Sequence, residues 1–264
     1  MSDRNLYAPP TAAVRDVSSM GDQPGDESFN PEGRSLPAGA GWRWYGDAWR
    51  VFKVRPLAWW GVLLVVFGVL AVASVIPLLN LVSSLLFPVM VAGMGVCVRS
   101  QLRTGGFEIR QVFAGFGPRR NALLQAGALY MLITVLSMAI FALLSGASLT
   151  ALYLGSMAER QVAMRAVFEG SALMGLLYFA VLSVAMSAIL FAPYLIQEQN
   201  IAAPQAMLMS LKASFKNIPA SLVWLLSYFL WALVATIPLG LGWLILVPVL
   251  CLTAYLAYRE IFYN

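Results

Sequence analysis

Four long runs of the chain contain no Asp, Glu, Lys or Arg, and no other feature limits its possible folds as strongly. They are residues 56–98, 121–158, 170–197 and 217–258. A helix needs about 20 apolar residues to cross the hydrocarbon core of a bilayer. The first and last runs can each hold two spans joined by a turn, at residues 78–80 and 239–242, and the other two runs each hold one span. A chain of 264 residues is too short to surround six apolar helices with polar ones in a soluble fold.

The sequence therefore predicts an all-α integral membrane bundle of six transmembrane helices. The predicted spans are residues 57–78, 81–98, 122–144, 172–196, 220–238 and 242–258, within a membrane domain of residues 39–264. Residues 1–38 carry six acidic and three basic residues among Pro, Gly and Ser. Such a segment has little apolar surface to offset the entropy cost of ordering. We therefore predict that residues 1–38 form a disordered cytoplasmic tail.

The basic residues are divided very unequally between the two sets of loops. Of the 17 Lys and Arg residues, only Arg160 and Arg165 lie between spans three and four, and the other 15 lie on the opposite side. Cytoplasmic loops are enriched in Lys and Arg, so both termini are predicted to be cytoplasmic. Residues 1–40 contain no apolar signal segment, and the first span is expected to serve as the insertion signal. The sequence pI of about 9.4 follows from these loops and does not indicate nucleic-acid binding.

Three segments on the predicted cytoplasmic side show apolar residues at helical spacing. We predict that each is an interfacial amphipathic helix lying in the headgroup plane, the alternative being a plain loop with chance periodicity. The apolar positions are Trp42, Tyr45, Trp49 and Phe52 in the first segment, Ile109, Val112, Phe113 and Phe116 in the second, and Leu208, Leu211 and Phe215 in the third.

The same segments open what we interpret as a parallel internal repeat. Residues 52–56 (Phe-Lys-Val-Arg-Pro) resemble residues 215–219 (Phe-Lys-Asn-Ile-Pro), and residues 76–78 match 237–239 as Ile-Pro-Leu. Pro88 matches Pro248 and Arg99 matches Arg259, at a nearly constant offset of 160–163 residues. The predicted unit is an amphipathic helix followed by a two-span hairpin with a proline in its second span. The alternative is that apolar sequences match readily.

The predicted spans hold no chemistry of the kind that catalysis needs. They contain no carboxylate, Lys or Arg, and the chain has no His. Acid–base catalysis and intramembrane proton relays depend on such groups. We therefore predict a protein that is not an enzyme, with no catalytic residue, no metal site and no cofactor. Cys97 and Cys251 are interpreted as small apolar residues, and the acids outside the tail, Glu198 among them, as solvated loop charges.

Several arginines are the strongest candidates for a site. Each basic residue near an anionic leaflet contributes about 1 kcal/mol of attraction. We predict lipid-headgroup contacts, with topology determination alone as the alternative, for Arg99, Arg103, Arg119, Arg120 and Arg259. Because proline removes a backbone donor, helix kinks or turns are predicted at Pro77, Pro88, Pro193, Pro238 and Pro248. Interfacial anchors are predicted at Trp59, Trp60, Trp224 and Tyr258.

Short tracts across residues 39–263 also carry a family resemblance. The most specific are Ile-Pro-Leu-Gly-Leu-Gly at residues 237–242 and Tyr-Arg-Glu-Ile-Phe at residues 258–262, and Phe-Ala-Pro at 191–193 and Ser-Leu-Lys-Ala-Ser-Phe at 210–215 accompany them. Together they resemble an uncharacterised family of bacterial multi-pass inner-membrane proteins that carries a locus-tag name. The chain is more distantly similar to the membrane domain of glycerophosphodiester phosphodiesterases. This resemblance implies a helical module of the bacterial inner membrane, without the hydrolase domain.

Two functions fit these features. The first is a non-catalytic scaffold, interaction or membrane-organising protein, whose partners are the phospholipid bilayer, anionic lipids at the cytoplasmic face and an unknown membrane protein. The second is a passive transporter or channel for a neutral or lipid-like solute, which six spans, repeats and several prolines also suit. A coupled ion transporter normally has a charge within its spans.

Overall fold

The computed structural model describes residues 28–74, 79–145, 149–169 and 172–263, and in these residues it is all-helical. The α-helices are α1 (Ala40–Phe52), α2 (Pro56–Ser74), α3 (Leu79–Thr104), α4 (Arg120–Ser145), α5 (Leu149–Leu154), α6 (Met157–Glu169), α7 (Ala172–Leu190), α8 (Ala192–Gln199), α9 (Ala203–Lys216), α10 (Ile218–Thr236) and α11 (Trp243–Phe262). A 3-10 helix occupies Ile109–Phe116, and an isolated antiparallel bridge joins Phe29 to Tyr263. The predicted all-α class is confirmed.

Several helices are long and apolar enough to cross a membrane. In the described residues there are five such stretches: Ser83–Thr104, Arg120–Leu144, Gly175–Gln199, Ile218–Thr236 and Trp243–Phe262. A sixth is obtained if α1 and α2, which meet at an angle of 104°, are taken as one broken span. This number of apolar helices is that of a multi-pass membrane protein.

The helices extend further than the charge-free runs predicted. Helix α3 continues to Thr104, α8 to Gln199 and α11 to Phe262, whereas the predicted spans end at residues 98, 196 and 258. The charged residues near these three ends therefore lie on helices instead of in loops. The last residues of predicted span one and the start of its turn, with Pro77, lie outside the described residues.

The predicted turn between the last two spans lies at residues 237–242, between α10 and α11. Gly240 has a φ of 84°, which glycine adopts at little cost. A Cβ on Gly242 would lie 2.4 Å from the Ala235 Cα, so only glycine fits this close approach.

Each short helix packs on a hairpin other than the one that follows it in the chain. Helix α1 lies against α10 and α11, the 3-10 helix against α2 and α3, and α9 against α4, α7 and α8. Small residues permit the close contact, since a Cβ on Gly41 would lie 2.1 Å from the Ala220 carbonyl oxygen and one on Gly93 1.7 Å from that of Val112. These helices are therefore integral to the bundle.

The buried faces of the short helices only partly match the predicted apolar positions. In α1, Trp44 and Tyr45 are buried whereas Trp42 and Trp49 are exposed. In the 3-10 helix, Val112 is buried, and the exposed side chains are those of Ile109, Phe113 and Phe116. In α9 the buried side chains are mostly small, and those of Leu208 and Phe215 face outwards. Hydrophobic periodicity identified helical segments but not which face packs inwards.

The core lies mainly near the end of the bundle where α3 and α11 terminate. Its largest fully buried side chains include those of Trp59, Met90, Leu195, Tyr255 and Phe262. Towards the other end, large apolar side chains are exposed instead, with 72% exposure for Leu143, 70% for Leu233 and 99% for Leu239. Such extensive exposed apolar surface is stable in an apolar solvent such as the bilayer interior.

Part of the predicted disordered tail is ordered. Residues 28–36, which we call the strap, run across the end of α11. The amide of Asn30 donates to the Phe262 carbonyl at 2.8 Å and the amide of Arg34 to that of Ile261 at 2.9 Å. These bonds satisfy carbonyl groups that a helix C-terminus leaves without helical partners. The first 27 residues of the tail lie outside the described residues.

Candidate functional site: an arginine-rich cleft

A cleft of about 670 Å³ lies between the strap, α1 and the ends of α3 and α11. We call it the arginine cleft. Its charged lining residues are Arg34, Asp47, Arg50, Arg259 and Glu260, and its apolar ones are Val51, Val54, Leu102 and Leu256. Gln101, Gly105 and Tyr263 complete the lining. The cleft therefore combines ionic groups with an apolar wall.

Both carboxylates of the cleft have arginine partners. Asp47 pairs with Arg50 one helical turn away. The Glu260 carboxylate accepts a hydrogen bond from Arg43 at 2.7 Å and another from the indole nitrogen of Trp44 at 2.6 Å. The bonds to Arg43 and Trp44 hold the Glu260 carboxylate, at the end of α11, against α1.

Gln101 links α1 and α2 to the end of α3 at the floor of the cleft. Its side chain is 6% exposed, accepts a hydrogen bond from the Trp59 indole at 2.8 Å and donates to the Val51 carbonyl at 2.7 Å. Trp59 itself is 1% exposed and packs against Phe107 with ring centroids 4.7 Å apart. Trp59 is thus a core residue, which corrects its assignment as an interfacial anchor.

A carboxylate–tyrosine cluster adjoins the cleft. The Glu198 carboxylate accepts hydrogen bonds from the hydroxyls of Tyr255 at 2.7 Å, Tyr263 at 2.9 Å and Tyr258 at 3.5 Å. Gln199 donates to the Tyr263 hydroxyl at 2.8 Å. Burial raises the pKa of the Tyr263 phenol above its ordinary value, which keeps the phenol protonated as a donor. The interpretation of Glu198 as a solvated loop charge is wrong, because it lies on α8 and fastens that helix to α11.

The cluster also corrects the assignment of Tyr258 as an interfacial anchor. Its side chain is 0% exposed and packs against Tyr194 and Phe262, with ring centroids 5.3 and 5.5 Å away. Trp224 is half-buried, and its indole donates to the Thr253 hydroxyl at 3.0 Å. Buried aromatic residues with polar groups need such partners.

The predicted headgroup arginines fall into two groups. Arg259 lies on the last turn of α11 and lines the cleft, and Arg99 lies near the end of α3. Arg103 is exposed on the last turn of α3, whereas Arg119 and Arg120 lie at the start of α4. Of these five described residues, Arg259 alone lines the cleft.

The predicted prolines occupy three kinds of position. Pro88 and Pro248 are buried inside α3 and α11, and Pro238 is in the turn after α10. Pro193 follows the break between α7 and α8 at Phe191. At that break the Ser210 hydroxyl of α9 accepts a hydrogen bond from the Phe191 amide at 3.0 Å and donates to the Ser187 carbonyl at 2.7 Å. A side chain from α9 thus replaces the backbone bond that the interrupted helix lacks.

Sequence reasoning missed Arg34 and Arg50 as cleft residues. Arg34 was assigned to the tail, and it is fixed in place by residues distant in sequence, namely the last carbonyl groups of α11 and the side chain of Asn217. The spacing of Tyr194 and Glu198 by four residues after Pro193 was a usable signal, because it puts both on one face of a continuing helix.

In the described residues no group of three or more His, Cys, Asp or Glu side chains is placed to hold a metal ion. Comparisons of the chain with protein-family models, with curated proteins and with solved structures gave no match.

Proposed function

We propose that the protein is a non-catalytic scaffold or membrane-organising protein of the bacterial inner membrane, with both termini in the cytoplasm. The observation that carries the proposal is the concentration of basic residues at one end of a bundle of apolar helices. Arg99, Arg103 and Arg259 lie on the last turns of α3 and α11, and Arg119 and Arg120 at the start of α4. We propose that these five side chains contact anionic headgroups, since basic groups near an anionic leaflet are attracted to it.

We also propose that α1, the 3-10 helix and α9 lie at the membrane interface. Helix α9 supports this placement, because its outward side carries Leu208 and Phe215 beside Lys212 and Lys216, all of them exposed. Apolar side chains flanked by lysines are typical of helices that bury one face below the headgroups. The 3-10 helix presents exposed apolar side chains in the same way.

The contacts of these helices support the proposed internal repeat. The three units are α1 to α3, then the 3-10 helix with α4, α7 and α8, and last α9 to α11. Each of the last two units places its short helix on the hairpin of the unit before it, and α1 packs on the hairpin of the last unit. Such contacts close a ring of three units. The second span of each unit carries one of the prolines Pro88, Pro193 and Pro248.

Native mass spectrometry of the protein extracted gently from its own membrane tests the proposed function. We expect retained anionic lipids, a stoichiometric protein partner, or both. Neutralising Arg103, Arg119 and Arg120 to Gln is expected to remove surface-bound anionic lipid. The matched control neutralises Arg160 and Arg165 on α6, which are the basic residues on the other predicted side. A protein that retains neither lipid nor partner would overturn the proposal.

A partner protein has a separate test by crosslinking in native membranes. We expect a reproducible crosslinked species that contains this chain and one other membrane protein. A scaffold role loses its support if the chain crosslinks to no protein while anionic lipids are also absent from the spectrum.

A further inference from the structure

The arginine cleft carries more positive than negative charge. Arg34, Arg50 and Arg259 line it, and Arg43 beside it pairs with Glu260. The carboxylates are those of Asp47 and Glu260 in the lining and that of Glu198, which is hydrogen-bonded to the lining residue Tyr263. The local formal charge is thus +1, and the excess remains however the ions are paired. A cleft with this balance attracts an anion.

Arg34 is held in position before any ligand arrives. Its Nε donates to the Glu260 carbonyl at 2.7 Å and its amide to the Ile261 carbonyl at 2.9 Å. Its own carbonyl accepts from the Asn217 side chain at 3.0 Å. These bonds fix the backbone and the inner edge of the guanidinium group, so little freedom is lost on binding. Arginine presents paired donors whose geometry matches phosphate oxygens.

The remaining walls of the cleft suit an apolar group. Val54 and Leu102, which line it, are 58% and 40% exposed overall, and Leu256 contributes a further apolar wall. An inorganic anion would leave this apolar surface in water. A molecule with both a phosphate and an apolar portion covers the two kinds of surface together.

We propose that the arginine cleft is a single binding site for a phosphate group that carries an apolar substituent, with Arg34 and Arg259 as its main phosphate ligands. This chemistry occurs in the headgroup region of an anionic phospholipid and in a soluble phosphate ester. The proposal differs from the surface contacts above in naming one built site. It does not depend on a partner protein, and its cleft residues are distinct from the Arg103, Arg119 and Arg120 set.

The experiment measures ligand binding by the full chain in neutral detergent, after lipid removal, using native mass spectrometry. The probes are short-chain phosphatidylglycerol, short-chain phosphatidylcholine and hexyl phosphate, a soluble ester with an apolar substituent, each titrated separately. We expect one saturable phosphatidylglycerol site that binds more tightly than phosphatidylcholine. The variants Arg34→Gln and Arg259→Gln are expected to weaken that site about tenfold or more, as the loss of a charged hydrogen bond does.

Three further variants keep the test independent of folding. Leu102→Trp fills the cleft without changing its charge, and is also expected to abolish the site. Its control is Leu132→Trp on α4, at a side chain that is 52% exposed and outside the cleft. The charge control is Arg110→Gln, which removes an equal charge from an exposed residue paired with Glu108 outside the cleft. Thermal unfolding identifies any variant that fails to fold.

The outcomes separate the two sources of ligand. Phosphatidylglycerol binding that is lost in Arg259→Gln and Leu102→Trp but kept in both controls supports the site and assigns a lipid. Hexyl phosphate binding with the same dependence supports the site and assigns a soluble ester. The proposal would be overturned, in favour of diffuse surface attraction, if phosphatidylglycerol and phosphatidylcholine bound equally. It would also be overturned if Arg110→Gln and Arg259→Gln lost equal amounts of phosphatidylglycerol binding.

Discussion

Replacing Asn217 with Ala should release the strap from the bundle. The Asn217 side chain is 1% exposed and makes three hydrogen bonds. It accepts from the Leu36 amide at 2.8 Å and donates to the carbonyls of Arg34 at 3.0 Å and Ala213 at 2.9 Å. Two of these bonds are to the strap, and a net contribution of about 1 kcal/mol for each predicts that the strap loses about 2 kcal/mol of stabilisation. The open population of the strap should rise roughly 30-fold.

Hydrogen exchange of the backbone amides measures this opening directly. The amides of Asn30, Arg34 and Leu36 all donate to groups outside the strap, so each should exchange faster in Asn217→Ala. The matched control is Asn121→Ala, at an exposed position at the start of α4. In the control these amides should keep their wild-type rates.

The reasoning would be refuted by unchanged exchange at all three strap amides in Asn217→Ala. A uniform acceleration across α10 and α11 as well would show that Asn217 supports the bundle as a whole and not the strap in particular.

Three other perturbations test separate contacts. Gly93→Ala should lower the free energy of unfolding by about 1–3 kcal/mol, because its Cβ would meet the Val112 carbonyl. Its control, Gly68→Ala, has open space around the new Cβ and should be neutral or stabilising. Equal effects of the two substitutions on thermal unfolding would contradict the contact. Ser210→Ala should destabilise the protein by about 2 kcal/mol in denaturant unfolding, since it removes both bonds at the α7–α8 break, and Ser183→Ala on the exposed face of α7 should change little. The Ser156 amide and hydroxyl donate to the Glu159 carboxylate and lower its pKa, so the pKa is lower in the folded state than in the unfolded one. This cap at the start of α6 therefore stabilises the folded protein at neutral pH, and its contribution is lost as the pH falls through the folded-state pKa. A carboxyl NMR titration should show that lowered midpoint, moving only part of the way towards the ordinary Glu value in Ser156→Ala, because the substitution removes the hydroxyl donor and keeps the amide donor. An unmoved midpoint would exclude the hydroxyl as a cause of the lowered pKa.

Charge-free runs predicted the helical membrane architecture well, because the cost of placing charges in hydrocarbon keeps charged residues out of the segments that cross it. The same signal misplaced the helix ends. Arg99, Glu198 and Arg259 were treated as residues beyond the spans, yet a helix continues past the last apolar residue wherever its backbone bonds persist. In the structure Glu198 accepts a hydrogen bond from Tyr255, and Arg259 lies one helical turn beyond Tyr255 on α11.

The candidate cleft was largely beyond sequence reasoning. Arg34 and Glu260 are 226 positions apart, and their contact depends on the strap satisfying the last carbonyls of α11. Composition predicts disorder for a segment such as residues 28–38 because the segment has little apolar surface of its own. Composition holds no information about the hydrogen-bond partners that a distant helix end supplies. The inward face of α9 was missed for a related reason. Its buried side chains are mostly small because the helices pack closely there, and an apolar periodicity built on large residues does not detect them.

The central claim is a membrane bundle whose arginine cleft faces the cytoplasm, and cysteine labelling tests it most directly. In a Cys97→Ala, Cys251→Ala background, Arg103→Cys and Arg160→Cys place single thiols at opposite predicted sides. A membrane-impermeant maleimide should label Arg160→Cys in intact spheroplasts, and Arg103→Cys only after permeabilisation. Labelling of Arg103→Cys in intact spheroplasts, with Arg160→Cys protected, would contradict the account.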